Sequence, residues 1–172
     1  HKHFRAAYFF KGTLSTNDLQ YEELTSEGDQ TAIETGFIFT QLVHKLAIST
    51  TVGINEVMDK ERWDKFAGFK SYGFQNFNYS LSAGYLLFPR KYTSFNQPNF
   101  NIYCELLGAR GLDRTVSYVD VAPAVQVIVR SSTKVNFGYR FQIAGEMKRM
   151  ATNGFVFSFE KTFLNALKKR NL

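Results

Sequence analysis

The side chains of this sequence that could do chemistry fall into a few sets, and each is tested first for reactivity. The histidines are His1, His3 and His44, and only His44 has a nucleophile candidate, because Ser131 and Ser132 lie in a turn expected at the same end of the molecule. A reactive serine needs a base and an orienting carboxylate within reach. No carboxylate joins His44 and these serines in the sequence pattern, so the reading is non-enzymatic, with no cofactor. The stretch "TLSTNDLQYEELTSEGDQ" gathers Asp18, Glu22, Glu23, Glu27 and Asp29 without a basic residue. Carboxylates of this kind can bind Ca²⁺, but their spacing matches no calcium loop, and a solvated acidic loop is the plainer reading. Spaced His/Cys metal ligands, a phosphate-cradling glycine loop and a dinucleotide fingerprint are all missing. The remaining set is Arg5, Lys11, Glu34, Glu105, Asp120, Arg130, Arg140, Glu146 and Glu160, charges that interrupt otherwise apolar or small-residue segments.

Those charges must be positioned by something, and composition narrows the choice. The chain has 172 residues, enough for a single domain over 1–172, with 18 Phe, only 3 Pro and 16% aromatic residues. Such a balance suits β-structure with large apolar surfaces. The net charge of +6 is scattered along the chain, so nucleic acid is not an expected partner. A single cysteine, Cys104, excludes an internal disulfide. No stretch approaches the ~20 apolar residues of a membrane helix. The chain opens on "HKHFRAAYFF" without a signal peptide, as expected of a cytosolic protein or of one whose leader has been removed.

The periodicity is two. In "KVNFGYRFQIAGE", Val135, Phe137, Tyr139, Phe141 and Ile143 fall on one side, and Asn136, Gly138, Arg140, Gln142 and Ala144 on the other. Side chains alternate across a strand, so each such segment has one apolar and one polar face. The pattern predicts eight strands, at about 3–11, 31–42, 45–55, 76–88, 100–109, 119–130, 134–146 and 154–164. Tight hairpins are expected through "VHK" and "SSTK", and long loops over 12–30 and 56–75. The second long loop carries Trp63, Phe66, Phe69, Tyr72 and Phe74, candidates for an interfacial girdle or a partner surface, and its first half could form a short amphipathic helix. Segments of about ten residues, with long connections at one end and mostly short ones at the other, fit an up-and-down barrel that crosses a bilayer.

Two arguments place the apolar row outside. A narrow eight-stranded barrel has room inside only for modest side chains, which suits Gly53, Ser80, Ser82 and Gly84 rather than rows of Phe and Tyr. A water-facing strand surface would carry Lys, Glu and Thr rather than Gly and Asn. Lipid would then bathe Phe137 and Tyr139, and Lys161, the charged member of the apolar row, would snorkel to headgroups. Closure requires β-strand eight to pair with strand one, since lipid leaves open edges unsatisfied. Pro123 removes a ladder donor and predicts a local bulge in the sixth strand.

Enclosed charges need partners. Strand directions predict a lumenal network about Arg140 with Glu105 and Glu160, joined by Arg5, Lys11 and Glu34. A gated pore and a polar plug are the two readings of such a network. Lys45, Arg90, Lys91, Arg130, Lys134, Lys168, Lys169 and Arg170 make the other end basic, which suits headgroup phosphates there.

This pattern of alternating segments, small-residue lumen and aromatic outer face resembles the small outer-membrane barrels of Gram-negative bacteria of the outer-membrane protein A and X type. The Phe- and Tyr-rich flavour also looks like barrels from the Bacteroidota. The resemblance spans nearly the whole chain but matches no motif residue by residue, so it transfers no functional residue. It departs at the end: Phe155, Phe157, Phe159 and Phe163 are followed by "LNALKKRNL" rather than by a terminal aromatic. The resemblance implies residence in a bacterial outer membrane and roles from anchoring to a place in a larger envelope complex. Membrane lipids would be partners, and other outer-membrane proteins could be met through the second long loop or the basic tail. The alternatives are a lipid A-modifying barrel enzyme and a soluble lipocalin-like carrier. The Gly-x-Trp signature of lipocalins is absent, as Trp63 lies in a loop.

Overall fold

The structure, a computed structural model, describes residues 3–16, 30–58, 74–91, 93–94, 96–113 and 115–163. The described residues are all-β and form one sheet of eight antiparallel strands in chain order. These are β1 (Phe4–Thr13), β2 (Ala32–Val43), β3 (Leu46–Val57), β4 (Gln75–Phe88), β5 (Asn99–Gly111), β6 (Ser117–Val129), β7 (Thr133–Gly145) and β8 (Asn153–Lys161). Each begins within one or two residues of the position expected from the alternation. The helix considered for the second long loop, and Trp63, Phe66, Phe69 and Tyr72, lie outside the described residues, as do Asp18, Glu22, Glu23, Glu27 and Asp29 of the first loop.

Turn chemistry sets the register. Val43 pairs with Leu46, so His44 and Lys45 alone reverse the chain. His44 adopts φ 55°, a left-handed conformation that such a short reversal needs. Val129 pairs with Thr133, and Arg130 and Ser131 both take φ 52° in the intervening turn. These turns and the β4–β5 connection lie at one end. The connections after β1, β3, β5 and β7 lie at the other, called here the upper end.

Pro123 does not create the expected bulge. It sits opposite Cys104 in an unbroken β5–β6 register, and the β6–β7 register is the same on both sides of it. The physical reason is local: a missing N–H deletes a rung without adding a residue, and only an added residue shifts register. The shift lies higher, between Val119 and Asp120. Val119 faces Ala144 and Asp120 faces Gln142, which leaves Ile143 as the extra residue of β7.

The two faces of the sheet differ as the parity argument requires. On the outer face Phe10, Phe37, Tyr85, Ile102, Val125, Phe137 and Phe157 are all exposed, Phe157 to 69%. On the inner face Asn55, Asn76 and Asp120 are buried, Asp120 to 0% exposure. The sheet curls enough for side chains or backbone of seven strands to surround one cavity, from Lys11 on β1 to Arg140 on β7. The ladder runs from β1 to β8, and among the described residues no pairing joins β8 to β1. The inward side chains of these end strands are correspondingly open, with Val156 at 44% exposure.

Inside, space is made by glycine where a bulky group turns inward. Phe9 points into the curl from β1, and Gly36 and Gly53, paired with each other on β2 and β3, receive its ring. A Cβ at Gly36 would stand 2.8 Å from the ring and 2.2 Å from the carbonyl oxygen of Val52. The buried apolar cluster is small and lies at the upper end, where Ala109, Tyr118 and Met147 meet with Val116 alongside.

Candidate functional site

The upper interior is organised around Asp120. Its carboxylate is inward on β6 and fully buried, which would be very costly without compensation. Two guanidinium groups supply it. Arg140 Nε on β7 donates to Asp120 Oδ2 at 2.5 Å. Arg149 donates from Nη1 to Oδ2 at 2.6 Å and from Nη2 to Oδ1 at 2.9 Å, a two-point pair that matches the carboxylate fork. Arg149 Nη2 also donates to Gln142 Oε1 at 2.6 Å. Its guanidinium carbon stands 4.0 Å from the centroid of the Tyr118 ring, and that of Arg140 5.6 Å from the same ring. Both distances fall within the range of cation–π attraction.

Arg149 reaches this place because of how β7 ends. After the extra residue Ile143, Gly145 adopts φ 110°, a conformation that costs glycine little. A Cβ there would lie 2.2 Å from the carbonyl oxygen of Ser117. The amides of Glu146 and Met147 then donate to that same oxygen at 3.0 and 3.4 Å. The connection folds inward instead of rising away, and it buries Met147 and Arg149.

Below this cluster a cavity of about 210 Å³ is lined by Lys11, Glu34, Thr51, Gly53, Asn78, Ser80, Leu107 and Arg140, among others. Lys11 and Glu34 share a rung of β1 and β2. Asn78 donates to Glu34 Oε1 at 3.3 Å across the intervening strand. Glu105 lies near the Ser80 hydroxyl and within the field of Arg140.

A relay of uncharged side chains crosses the lower interior. Asn101 Nδ2 donates to Gln126 Oε1 at 2.9 Å, Gln126 Nε2 to Asn136 Oδ1 at 2.8 Å, and Asn136 Nδ2 to Ser158 Oγ at 2.7 Å. This relay crosses four strands, β5 to β8, with each amide fixing the next.

The structure thus brings Lys11, Glu34 and Arg140 to one cavity and puts Glu105 near them, but it changes the pairing about Arg140. Among the described residues the carboxylate paired with it is Asp120, not Glu105 or Glu160. Glu160 shares the lowest rungs of β7 and β8 with Lys134, whose Nζ lies 3.0 Å from Oε1. Those rungs are too far down β7 for Glu160 to reach Arg140. Arg5 lies near the start of β1 and is exposed, away from this cluster. Lys161 donates to Ser132 Oγ at 3.1 Å and Thr133 Oγ1 at 2.8 Å rather than extending freely. His44 lines the lower part of the interior, and Ser132 is engaged by Lys161.

Asp120 was legible as an inward charge, and its partner could have been found by counting. The hairpin at Val129 and Thr133 puts Asp120 opposite Gln142, one diagonal step from Arg140. Arg149 and Met147 had no comparable signal, because a connection has no alternation to read, whereas Tyr118 on β6 shares the inward parity of Asp120. Among the described residues no group of three His, Cys, Asp or Glu side chains could hold a metal ion. Compared with protein-family models, with curated proteins and with solved structures, this chain matches none.

Proposed function

We propose that this chain is a transmembrane β-barrel of a bacterial outer membrane, closed by pairing of β8 with β1, with a non-enzymatic structural or accessory role in an envelope complex. One observation carries the reading: the large apolar side chains lie exposed on the outer face while the Asp120 carboxylate and the Arg149 guanidinium are buried on the inner one, with Arg140 half-buried beside them. Water would penalise that arrangement, because exposed apolar area of this extent is unfavourable and normally covered. Hydrocarbon reverses the sign of the outer term. The same solvent explains closure, since unpaired N–H and C=O groups along β1 and β8 find no partner in lipid. A lipocalin-like carrier would need the Phe and Val rows turned inward around an apolar ligand.

The interior supports a structural role over transport. Tyr118, Met147 and the doubly paired Asp120 fill the upper end, as expected for a narrow barrel packed by its own side chains. The basic lower end would face headgroup phosphates, and partner proteins would be met through the second long loop or the basic tail.

Detergent extraction from membranes, followed by gels of heated and unheated samples, tests this directly. A closed barrel resists unfolding in cold detergent and shifts mobility on boiling. Recovery in the aqueous fraction without detergent, with no heat-dependent shift, would reject the membrane reading. Recordings in planar bilayers are expected to lack a steady, large conductance.

A further inference from the structure

The lower interior holds a cavity of about 560 Å³ bounded by inward residues of β2 to β6, the β2–β3 turn and Arg90. That volume lies within the range of small-molecule sites. Its lining is one-sided in charge. Among the described residues, Lys45, Arg90 and His44 supply the titratable nitrogens of the wall, and no carboxylate lines it. Glu105 stands one inward step above the lining residue Tyr103, outside the lining, and lies in the field of Arg140. Glu160 at the same end is already paired with Lys134. An uncompensated cationic rim over a concave wall selects an anion.

The rest of the wall is not what a bare anion would need, because it offers acceptors as well as donors. Asn101 and Gln126 each use one amide N–H in the relay to Asn136, and each keeps a second N–H. Asn101 also keeps a carbonyl oxygen able to accept. Ser49 and Ser82 line the wall beside them. Asn99 lines it too, and its Oδ1 is buried with no hydrogen-bond partner, an acceptor that a ligand hydroxyl would satisfy after a turn of the amide. Leu42, Leu86, Ile128 and the Tyr103 ring add apolar surface for the C–H face of a ring.

We propose that this cavity binds a small polyhydroxylated anion of the sugar-phosphate class, with the phosphate at Lys45 and Arg90 and the hydroxyls on the amide wall. The site belongs to the lower interior and does not depend on what solvent bathes the outer face. The same chemistry could arrive as a free solute or as a polyol phosphate headgroup.

The test uses the full chain in a polyoxyethylene detergent, which carries neither sugar nor charge, and isothermal titration with glucose 6-phosphate, glucose and inorganic phosphate. Glucose 6-phosphate should bind saturably to a single site, about tenfold tighter than inorganic phosphate. Arg90→Gln and Lys45→Gln should each weaken it about tenfold, as loss of a charge-assisted contact does. Lys91→Gln, the same charge change outside the lining, should leave it unchanged. The heat-dependent gel shift of each variant reports folding separately from binding. Competition by nanodiscs containing phosphatidylglycerol, but not phosphatidylcholine alone, assigns the source to a headgroup, and its absence assigns it to a free solute. Equal affinity for glucose 6-phosphate and inorganic phosphate, or equal losses in Lys91→Gln and Arg90→Gln, would overturn the site in favour of diffuse surface charge.

Discussion

Arg149 and Asp120 stand 29 residues apart in the chain and meet as a two-point ion pair at 2.6 and 2.9 Å, both side chains almost wholly buried. Arg140 completes the cluster from the neighbouring strand. One carboxylate therefore fastens the last irregular connection to the inner wall of the sheet.

Removing that carboxylate should be the most damaging single change in the interior. Asp120→Ala leaves Arg149 buried without its partner, at a cost of about 3–5 kcal/mol. Urea or thermal unfolding of the detergent-solubilised chain measures it. The double variant Asp120→Leu with Arg149→Met should lose less, because the guanidinium it leaves without that carboxylate, Arg140, is only partly buried. Independent, additive losses in the cycle would show that the two residues do not act as a pair.

The lower amide relay should be cheap to break by comparison. Asn136→Ala removes one acceptor and one donor at half-buried positions that water can reach, so about 0.5–1.5 kcal/mol is expected. A loss as large as that of Asp120→Ala would mean that this part of the interior is as dry as the upper end.

Two paired glycines should respond differently to one added methyl group. At Gly36 the new Cβ would meet the backbone oxygen of Val52 at 2.2 Å, and no side-chain change can relieve that. At Gly53 the nearest atoms are Thr35 O at 3.0 Å and the tip of the Phe9 ring at 3.2 Å. Gly36→Ala should therefore cost the more, in the range of about 1–3 kcal/mol for overpacking. Phe9→Leu should ease Gly53→Ala and leave Gly36→Ala uncorrected. Unfolding midpoints of the three single and two double variants decide it.

The outer face gives the sharpest test of solvent. Phe137→Arg places a charge where the proposed barrel meets hydrocarbon and should cost about 2–4 kcal/mol near the bilayer midplane. The same change on a surface bathed by water should be nearly neutral. Folding into vesicles, compared between Phe137→Arg and wild type, separates the two cases, and unchanged stability in vesicles would reject lipid exposure at that position.

Much of this was written in the period-two alternation. Strand positions, the tight turns and the choice of face follow from residues such as Phe137, Gly138 and Tyr139, because neighbours on a strand must point to opposite sides. The difficulty lay in heights and in irregular backbone. Glu160 has the right parity to face Arg140 but sits at the wrong level, and level depends on register. Pro123 looked like the defect in β6, yet the extra residue was Ile143 on the strand beside it. A missing donor is visible in a sequence. An inserted residue is not, because the alternation continues on either side of it.

The sequence by itself determined which residues share a face, since that depends only on the geometry of an extended chain. It determined that the sheet would carry an apolar row of aromatics and a second row of small and charged residues. Tertiary structure decided which charges meet. Asp120 acquires Arg149 only because a bulge, Gly145 and two amides on one carbonyl turn the β7–β8 connection inward. Contacts of that kind depend on the curl of the sheet and on the path of a connection without periodicity, and neither is encoded in local residue spacing.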